Sequence, residues 1–527
     1  MAVSITWLCE LNEGIHARPA GYIARLCNLF QAAIDWENTR TGLRANAKSA
    51  LSLIASDTLL NDECRITLDG EDEQQAAARL RALLADLPAF SMQPEPVVSQ
   101  GYLPRCLREL KPQVIQGTRI HQGAAIARPR VMQSLTFADI IDRTPRHADG
   151  VESETARFLA GIASLRGEKQ RALSQTRGIE HDLIAAHLTL IDDGEFQDAT
   201  IGYLNDGMNA WSAIVRVSQD ICQQLEQSSS RYLQERTLDV LDIATQLIGA
   251  AYGERALNRS PLRLTEPAIV FASYLTPSRL LMLDRSRLAG LVLSSTGKTS
   301  HTAILARSLG IPTLADVDFA PLTLDAGQLI VIDAESGMLI THPDENVLRY
   351  YRHEMAVQQA MQQRLRVNAA MNKDQASAME KPLLTVETIL WRMDARDKNE
   401  AIKMMVDNLW LQQRTDARDK LCDDIWAREV PFPTVVGSGF AIPHAQTDYI
   451  HHSTLSVATL RQPIAWGGVL VDTLFMLTIS KNAQNNAHMK HFSTLARMLM
   501  NDEFVSRIKL AKGPKALYTL ISRTLAC

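Results

Sequence analysis

Residues 152 to 252 are almost purely helical in character, with few prolines and apolar residues recurring at i, i+3 and i+4. Strand-like text precedes this run from about Gly117, and three short β-rich runs follow it: Ala268-Ile-Val-Phe-Ala, Leu288-Ala-Gly-Leu-Val-Leu and Leu329-Ile-Val-Ile-Asp. A helical run bracketed by buried-strand text does not fit one continuous layer. It fits a helical bundle inserted into an α/β domain. The 527 residues leave room for three or four folding units at roughly 150 each.

Residues 1–88 read as a small α/β unit. Ser4-Ile-Thr-Trp-Leu8 alternates as a strand does, a helix follows from Ala17, and Ile34 to Glu37 forms a second strand. Ala47 to Ser56 reads as a short helix, with room for an extra strand before it. Arg65 to Leu68 reads as a strand and Glu71 to Leu87 as a long helix with acids in its first turn. Residues 89–113 open on proline-rich text and read as a linker. The α/β unit with its helical insert at about 150–255 spans 114–345. A glutamine-rich helical connector covers 346–380, and 381–527 is a further α/β unit opening with a helix from about Asn399 to Leu411.

Apolar residues make up 46% and charged residues 22% of the chain, which excludes wholesale disorder and fibrous repeats. Lys and Arg total 55 against 59 Asp and Glu, a formal net charge of −4 with no basic tract, so nucleic acid is not an expected partner. The cysteines, Cys9, Cys27, Cys64, Cys106, Cys222, Cys422 and Cys527, include no C-x-x-C pair, which fits a reduced, cytoplasmic chain. The N-terminal text lacks a signal-peptide pattern, and no run of about 18 apolar residues reads as a membrane span.

Three histidines stand in settings that suit chemistry. His16, in Gly14-Ile-His-Ala-Arg-Pro, lies between a strand and a helix start, with Arg18 two residues on. A neutral imidazole there can attack an electrophile, and helix N–H groups with an arginine can hold an anion such as a phosphoryl group. The alternative is a capping or loop histidine beside a surface arginine. His301, in Gly297-Lys-Thr-Ser-His301, follows an apolar strand and opens a helix. Gly-Lys-Thr also resembles a nucleotide-binding loop, but Val292 occupies the position where that motif requires its first glycine. His444 follows the glycine-punctuated segment Val436-Gly-Ser-Gly-Phe-Ala-Ile-Pro443, with Arg428-Glu429 upstream and His488 downstream. These fit a phosphate-accepting site. A metal site is the alternative, yet no further ligand stands at convincing spacing, so no metal is expected. Ser49, ahead of Ala50-Leu-Ser-Leu-Ile, is either a helix cap or a regulatory phosphorylation site.

At these residues the chain resembles the phosphoenolpyruvate-dependent sugar phosphotransferase system. Gly14-Ile-His-Ala-Arg-Pro is similar to the phosphocarrier HPr, and Asn46-Ala-Lys-Ser49 to the segment carrying its regulatory serine. Thr299-Ser-His301 with Ala306-Arg-Ser-Leu-Gly-Ile-Pro312 resembles the active-histidine segment of enzyme I. Tyr232-Leu-Gln-Glu-Arg236, Asp239-Val-Leu-Asp-Ile243 and Leu275-Thr-Pro-Ser278 are similar to other enzyme I text. Ala441-Ile-Pro-His444-Ala, with Arg428-Glu429 and His488, resembles EIIA of the fructose and mannitol type. Thr296 and Phe440 depart from the usual residues of the enzyme I and EIIA patterns.

The order is that of multiphosphoryl transfer proteins of the HPr, enzyme I, EIIA arrangement. The resemblance implies a multidomain α/β and α+β chain. Its parts are an HPr-like open-faced sandwich, a swivelling phosphohistidine α/β domain with an inserted helical bundle that binds HPr, and an EIIA-like α/β domain. It implies a relay among His16, His301 and His444, through Nδ1 in HPr and Nε2 in the other two, with Arg18, Arg428 and His488 stabilising the phosphoryl group.

The resemblance also exposes an absence. Only about 35 residues separate the enzyme I text from the EIIA text, too few for the phosphoenolpyruvate-binding barrel of roughly 250 residues. The implied donor is a complete enzyme I, which needs phosphoenolpyruvate and magnesium, or a phosphorylated HPr acting in reverse, and the chain itself binds no cofactor. The implied acceptors are EIIB and EIIC permease components, with only peripheral contact to a membrane. Alternatives are a regulatory sensor of phosphohistidine state and a remnant in which the enzyme I text is a spacer.

Overall fold

The computed structural model describes residues 2–11, 14–15, 17–87, 105–145, 147–228, 234, 236–257, 262–295, 300–320, 322, 324–325, 327–370, 382–431, 433–481, 494–495, 497–499 and 501–525. The chain divides into two compact units, one of residues 1–101 and 113–343, the other of residues 102–112 and 344–527. No described helix is long and apolar enough to cross a membrane.

The first unit begins with a four-stranded antiparallel sheet in the order β1-β4-β2-β3, formed by β1 (Val3–Leu8), β2 (Ala33–Asn38), β3 (Arg44–Asn46) and β4 (Glu63–Asp69). Helices α1 (Ala17–Cys27), α2 (Ala50–Ala55) and α3 (Glu73–Asp86) complete this open-faced layer. Period-two alternation explains it: Ile34 and Trp36 of β2 and Cys64, Ile66 and Leu68 of β4 face inward, against Ile23 of α1, Leu53 of α2 and Leu80 of α3. The extra strand expected before Ala47 is β3. The helix expected from Ala47 begins at Ala50, because Ser49 is its N-cap and accepts the Ser52 N–H.

The same unit continues with an eight-stranded sheet in the order β5-β12-β11-β7-β8-β9-β10-β6. Its strands are β5 (Val114–Gln116), β6 (Thr118–His121), β7 (Ala124–Val131), β8 (Ala268–Ala272), β9 (Leu288–Leu293), β10 (Thr313–Ala315), β11 (Ile330–Asp333) and β12 (Met338–Ile340). The run β7-β8-β9-β10 is parallel, and β8 and β9 are buried almost throughout, as their unbroken apolar text requires. The expected three β-rich runs are β8, β9 and β11. Between β7 and β8 the chain forms α5 (Phe137–Ile141), α6 (Val151–Gln175), α7 (Ile179–Ile191), α8 (Gly194–Asn205), α9 (Ala210–Glu226) and α10 (Thr237–Tyr252), packed around Phe158, Trp211, Ile214 and Leu247. This is the helical insert read from the sequence. The short α11 (Pro277–Leu281) and α12 (His301–Ser308) lie among the later strands of the parallel run.

The second unit departs from the sequence reading. Inside the expected linker 89–113, Arg105–Leu110 forms α4, whose Leu107 is fully buried, and this segment belongs to the second unit. The expected connector 346–380 begins as α13 (Glu345–Ala370), and one face of it is core: Val347, Leu348, Tyr351, Glu354 and Val357 are buried at helical spacing. Its glutamines, Gln358, Gln359, Gln362 and Gln363, follow this buried stretch, and all but the partly buried Gln358 are exposed. On the buried face Glu354 meets Lys403 and, at 2.7 Å, Arg418, while His353 lies 2.9 Å from Asp407, so the helix is bound into the unit by an ionic network.

A six-stranded sheet follows, in the order β13-β17-β18-β15-β14 with β16 paired to β18. It comprises β13 (Ile389–Met393), β14 (Val435–Gly437), β15 (Phe440–Ala441), β16 (His444–Thr447), β17 (Thr454–Trp466) and β18 (Val469–Ser480). The sequence reading opened this domain on a helix; the strand β13, parallel to β17, precedes it. Helices α14 (Lys398–Leu411), α15 (Arg418–Glu429), α16 (Asp502–Lys509) and α17 (Pro514–Leu525) cover the sheet. Phe440, a departure from the EIIA pattern, is fully buried against Phe475, with Lys509 Nζ 4.7 Å from its ring centroid.

Candidate functional site

His301 is the first residue of α12, in the segment that follows the end of β9. Ser300 caps the helix by accepting the Ala303 N–H at 3.2 Å, and Thr302 Oγ1 donates to the Leu275 carbonyl at 2.6 Å. The first turn therefore cannot slide, and the dipole at the N-terminus of α12 favours added negative charge beside the ring. His301 Nδ1 lies 2.9 Å from Asp239 Oδ2, and Arg236 contacts the same carboxylate oxygen at 3.2 Å. Burial alone would raise the Asp239 carboxyl, but the His301 ring and the Arg236 guanidinium outweigh it and hold the group well below the usual carboxylate range. An ionised carboxylate this close favours the tautomer that keeps the proton on His301 Nδ1. On the neutral ring the lone pair is then at Nε2.

Asp242, one turn along α10, is also buried; it accepts the Ser278 N–H at 3.0 Å and the Ser278 hydroxyl. His187 of α7 stands in the same neighbourhood, where burial pulls its pKa below the ordinary imidazole value against the opposing pull of Asp242. Sequence reasoning quoted Asp239-Val-Leu-Asp-Ile243 without giving either carboxylate a role. The available signal was two aspartates three residues apart in an otherwise apolar helix, since acids are rarely buried unless they are paired.

His444 begins β16, parallel to β18. Its Nδ1 is 2.9 Å from the Ile442 carbonyl oxygen, an obligate acceptor, so Nδ1 again carries the proton and Nε2 the lone pair. The backbone that aims this carbonyl is pinned on both sides: the Ile442 N–H donates to Thr434 O at 2.9 Å and the Leu477 N–H donates to Pro443 O at 3.0 Å. Glu429, almost wholly buried, accepts from Thr434 N and Oγ1 and from Trp466 Nε1 at 2.6 Å, fixing the segment that supports Ile442. Its neighbour Arg428 is exposed. Burial chiefly, with the Arg428 charge, draws the His444 pKa below the usual imidazole value, against the Ile442 hydrogen bond.

Ser49 caps α2 and also donates to Asp193, 3.0 and 2.8 Å from its two carboxylate oxygens. Asp193 is the N-cap of α8 and accepts the Phe196 and Leu51 N–H groups, each at 3.2 Å. His16, His488, Thr296 and Thr299 lie outside the described residues, as does the side chain of Arg18. Near them, Gly14 has φ +67, and a Cβ there would stand 2.3 Å from the Thr58 carbonyl oxygen, so only glycine fits ahead of α1. The structure keeps the His301 and His444 sites in different units and gathers Asp239, Arg236 and Asp242 around the first.

Four family models match the chain. They are the PTS HPr component phosphorylation site at residues 3–86, the PEP-utilising enzyme N-terminal model at 116–236, the PEP-utilising enzyme mobile domain at 264–337, and the EIIA 2 model of the phosphoenolpyruvate-dependent sugar phosphotransferase system at 382–524. Multiphosphoryl transfer protein 2 of Escherichia coli (strain K12) is 39% identical over 370 residues, 70% of this chain and 44% of that protein. Phosphoenolpyruvate-protein phosphotransferase of Bacillus sp. (strain S) is 27% identical over 252 residues, 47% of this chain and 43% of that protein. A solution structure of Enzyme I (nEIt) covers 46% of this chain and 99% of its own at 23% identity, with a TM-score of 0.34. The chain spans under half the length of these two curated relatives.

Proposed function

We propose, for a chain built of phosphotransferase-system modules in the order HPr, PEP-utilising enzyme N-terminal part, mobile domain and EIIA, a relay that passes a phosphoryl group among His16, His301 and His444. From His444 it goes on to an EIIB-type acceptor serving carbohydrate uptake. One observation carries the reading: at His301 and at His444 an acceptor oxygen stands 2.9 Å from Nδ1, which favours the proton there and the lone pair on Nε2.

In a transfer to His301, the Nε2 lone pair forms the new P–N bond while the P–N bond to the donor imidazole breaks and the donor ring recovers its lone pair. The acceptor ring keeps its Nδ1 proton and gains positive charge, which the Asp239 carboxylate offsets; at His444 the Ile442 carbonyl dipole takes that part. The N–H groups that open α12 and the Arg428 guanidinium meet the phosphoryl oxygens, with Arg18 and His488 assigned the same task by resemblance. Bonds of one kind are exchanged, so the steps run in either direction.

Residues 338–381, between the mobile-domain and EIIA matches, are too few for a barrel of roughly 250 residues. The donor in this reading is a complete enzyme I, which needs phosphoenolpyruvate and magnesium, or a phosphorylated HPr working in reverse. The relay would act on the cytoplasmic side, touching a membrane only through a permease. The test incubates the chain with labelled phosphoenolpyruvate and magnesium, with and without a complete enzyme I, and locates phosphohistidines by mass spectrometry at alkaline pH. Label on His16, His301 and His444 only with enzyme I is the expected result. Absence of label in both arms sinks the relay, and label without enzyme I reassigns the donor to the chain itself.

A further inference from the structure

The HPr-type module and the helical bundle do not meet as two independent surfaces. Ala186 of α7, Cys222 and Leu225 of α9 and Val240 of α10 belong to the same buried apolar cluster as the module's own core, and Leu51 of α2 lies in the core of the bundle. Buried polar contacts also cross the seam. Asp193, at the start of α8, takes hydrogen bonds from Ser49 and from the Leu51 N–H, and Ser228, just beyond α9, donates to Asp57. Asp193 has no cation among these partners; its charge is met by donors at the N-termini of two helices, one from each module, which only the docked arrangement supplies.

Helix α7 is the shared platform. The helix that begins beside His16 in sequence, α1, packs on it, with Gly21 so close to Thr189 that an added Cβ would stand 3.2 Å from Thr189 Oγ1. The helix that begins at His301, α12, packs on α7 as well.

We infer that phosphoryl exchange between His16 and His301 occurs within one chain, with the HPr-type module seated on its own helical bundle and holding that surface against other carriers. The inference rests on the relay reading. The proline-rich segment from Pro88 tethers the module, and a short tether gives an effective concentration on the order of 1 mM. A free carrier of the HPr type at micromolar concentration therefore has to displace a module that is present in large local excess. Exchange proceeds by the bond change given above, with both partners from the same chain.

Two measurements decide it. In the first, wild-type chain receives labelled phosphate from a catalytic amount of complete enzyme I, and the rate at which label passes from His16 to His301 is followed over a hundredfold dilution of the chain. In the second, a His301→Ala chain loaded on His16 is mixed with an unlabelled His16→Ala chain, so that only transfer between chains can label His301. The expected result is a rate independent of concentration in the first and, at about 1 µM, exchange roughly 10³-fold slower in the second. A rate proportional to chain concentration, or a mixed pair as fast as wild type, overturns the inference while leaving the relay standing. Label that loads His16 and never reaches His301 in either arrangement overturns this step of the relay itself. The dilution series needs no variant, so it stands even if a substitution disturbs folding.

Discussion

Asp239 lies 2.9 Å from Nδ1 of His301 and 3.2 Å from Arg236, so a carboxylate sixty-two residues earlier in the chain sets which nitrogen of the histidine carries the proton and which the lone pair. His444 reaches the same tautomer through a neighbouring backbone carbonyl. The two solutions differ in charge: the carboxylate offsets a full positive ring, the carbonyl only through its dipole.

Replacing Asp239 by Asn tests that control. An amide offers Nδ1 either a donor or an acceptor, so the ring can turn its proton to Nε2 and lose its nucleophile. Phosphoryl transfer to His301 should fall by on the order of 10²- to 10⁴-fold, the scale seen when a carboxylate that fixes a catalytic histidine is made an amide. Single-turnover labelling of His301 measures it, with thermal unfolding run beside it because buried Arg236 loses a charged partner. An unchanged rate would mean that Asp239 serves only the fold.

Ser49→Asp probes the seam without weakening its own helix. Aspartate is as good an N-cap as serine, so α2 keeps its cap, but the new carboxylate faces Asp193 and Glu195, whose pKa desolvation and then the Asp193 charge already raise. The Leu51 amide, which donates to Asp193, should exchange its hydrogen at least about tenfold faster, a loss of roughly 1.4 kcal/mol of local protection. Ser49→Ala, which loses only the cap and one hydrogen bond, should cost about 1 kcal/mol and leave the modules docked. Equal exchange in both variants would show that charge at position 49 does not govern docking.

His444 gives a pH prediction with a fixed sign. Its pKa is lowered, chiefly by burial, so the folded state binds fewer protons there than the unfolded chain. The stability this contributes is complete above the unfolded value of about 6.5 and is lost as pH falls from there through the folded value. The same depression keeps Nε2 unprotonated, so phosphoryl acceptance at His444 should persist into acid and fall with a midpoint below 6.5. Arg428→Gln removes one cause of the lowering and should move that midpoint upward while also slowing transfer. A midpoint at or above 6.5 in the parent chain would contradict the burial seen here.

Local text made the histidines legible. Gly-Ile-His-Ala-Arg-Pro, Thr-Ser-His-Thr and Ile-Pro-His-Ala each combine a turn residue, a histidine and the start of an element within a few positions, and Ser49 reads as a cap because capping spans only three residues. The 3.6-residue period exposed the bundle, and unbroken apolar runs exposed β8, β9 and β11. Asp239 escaped because its partner is distant in sequence. Strand β13 escaped because its burial, seen in Ile389 and Met393, depends on parallel pairing with β17, which no local alternation announces. The helicity of α13 was legible, but its place in a core escaped because glutamines crowd its later turns and part of its inner face is ionic; a charged residue in a core reads as surface until its partners are known.

That ionic face yields the last prediction. Lys403 contacts Glu354 and lies 2.8 Å from Asp407, while Arg418 bridges the same two carboxylates at 2.7 and 3.3 Å, all four being largely buried. Burial alone would raise the Asp407 carboxyl, but Lys403, His353 and Arg418 together hold it well below the usual range, so its contribution is present above about pH 3.9 and lost only as pH falls through the folded value. Removing Glu354 leaves two buried cations to one carboxylate, and breaking a buried network in this way costs about 3–5 kcal/mol. Glu354→Gln in the full chain should therefore lower the unfolding free energy of the second unit, read from urea denaturation, by that amount, with the first unit unaffected. A fragment of residues 381–527, lacking α13 altogether, should be less stable than one of residues 344–527 by at least as much, since it also exposes the face covered by Val347, Tyr351 and Val357. Equal stability of the two fragments would return α13 to the role of a spacer.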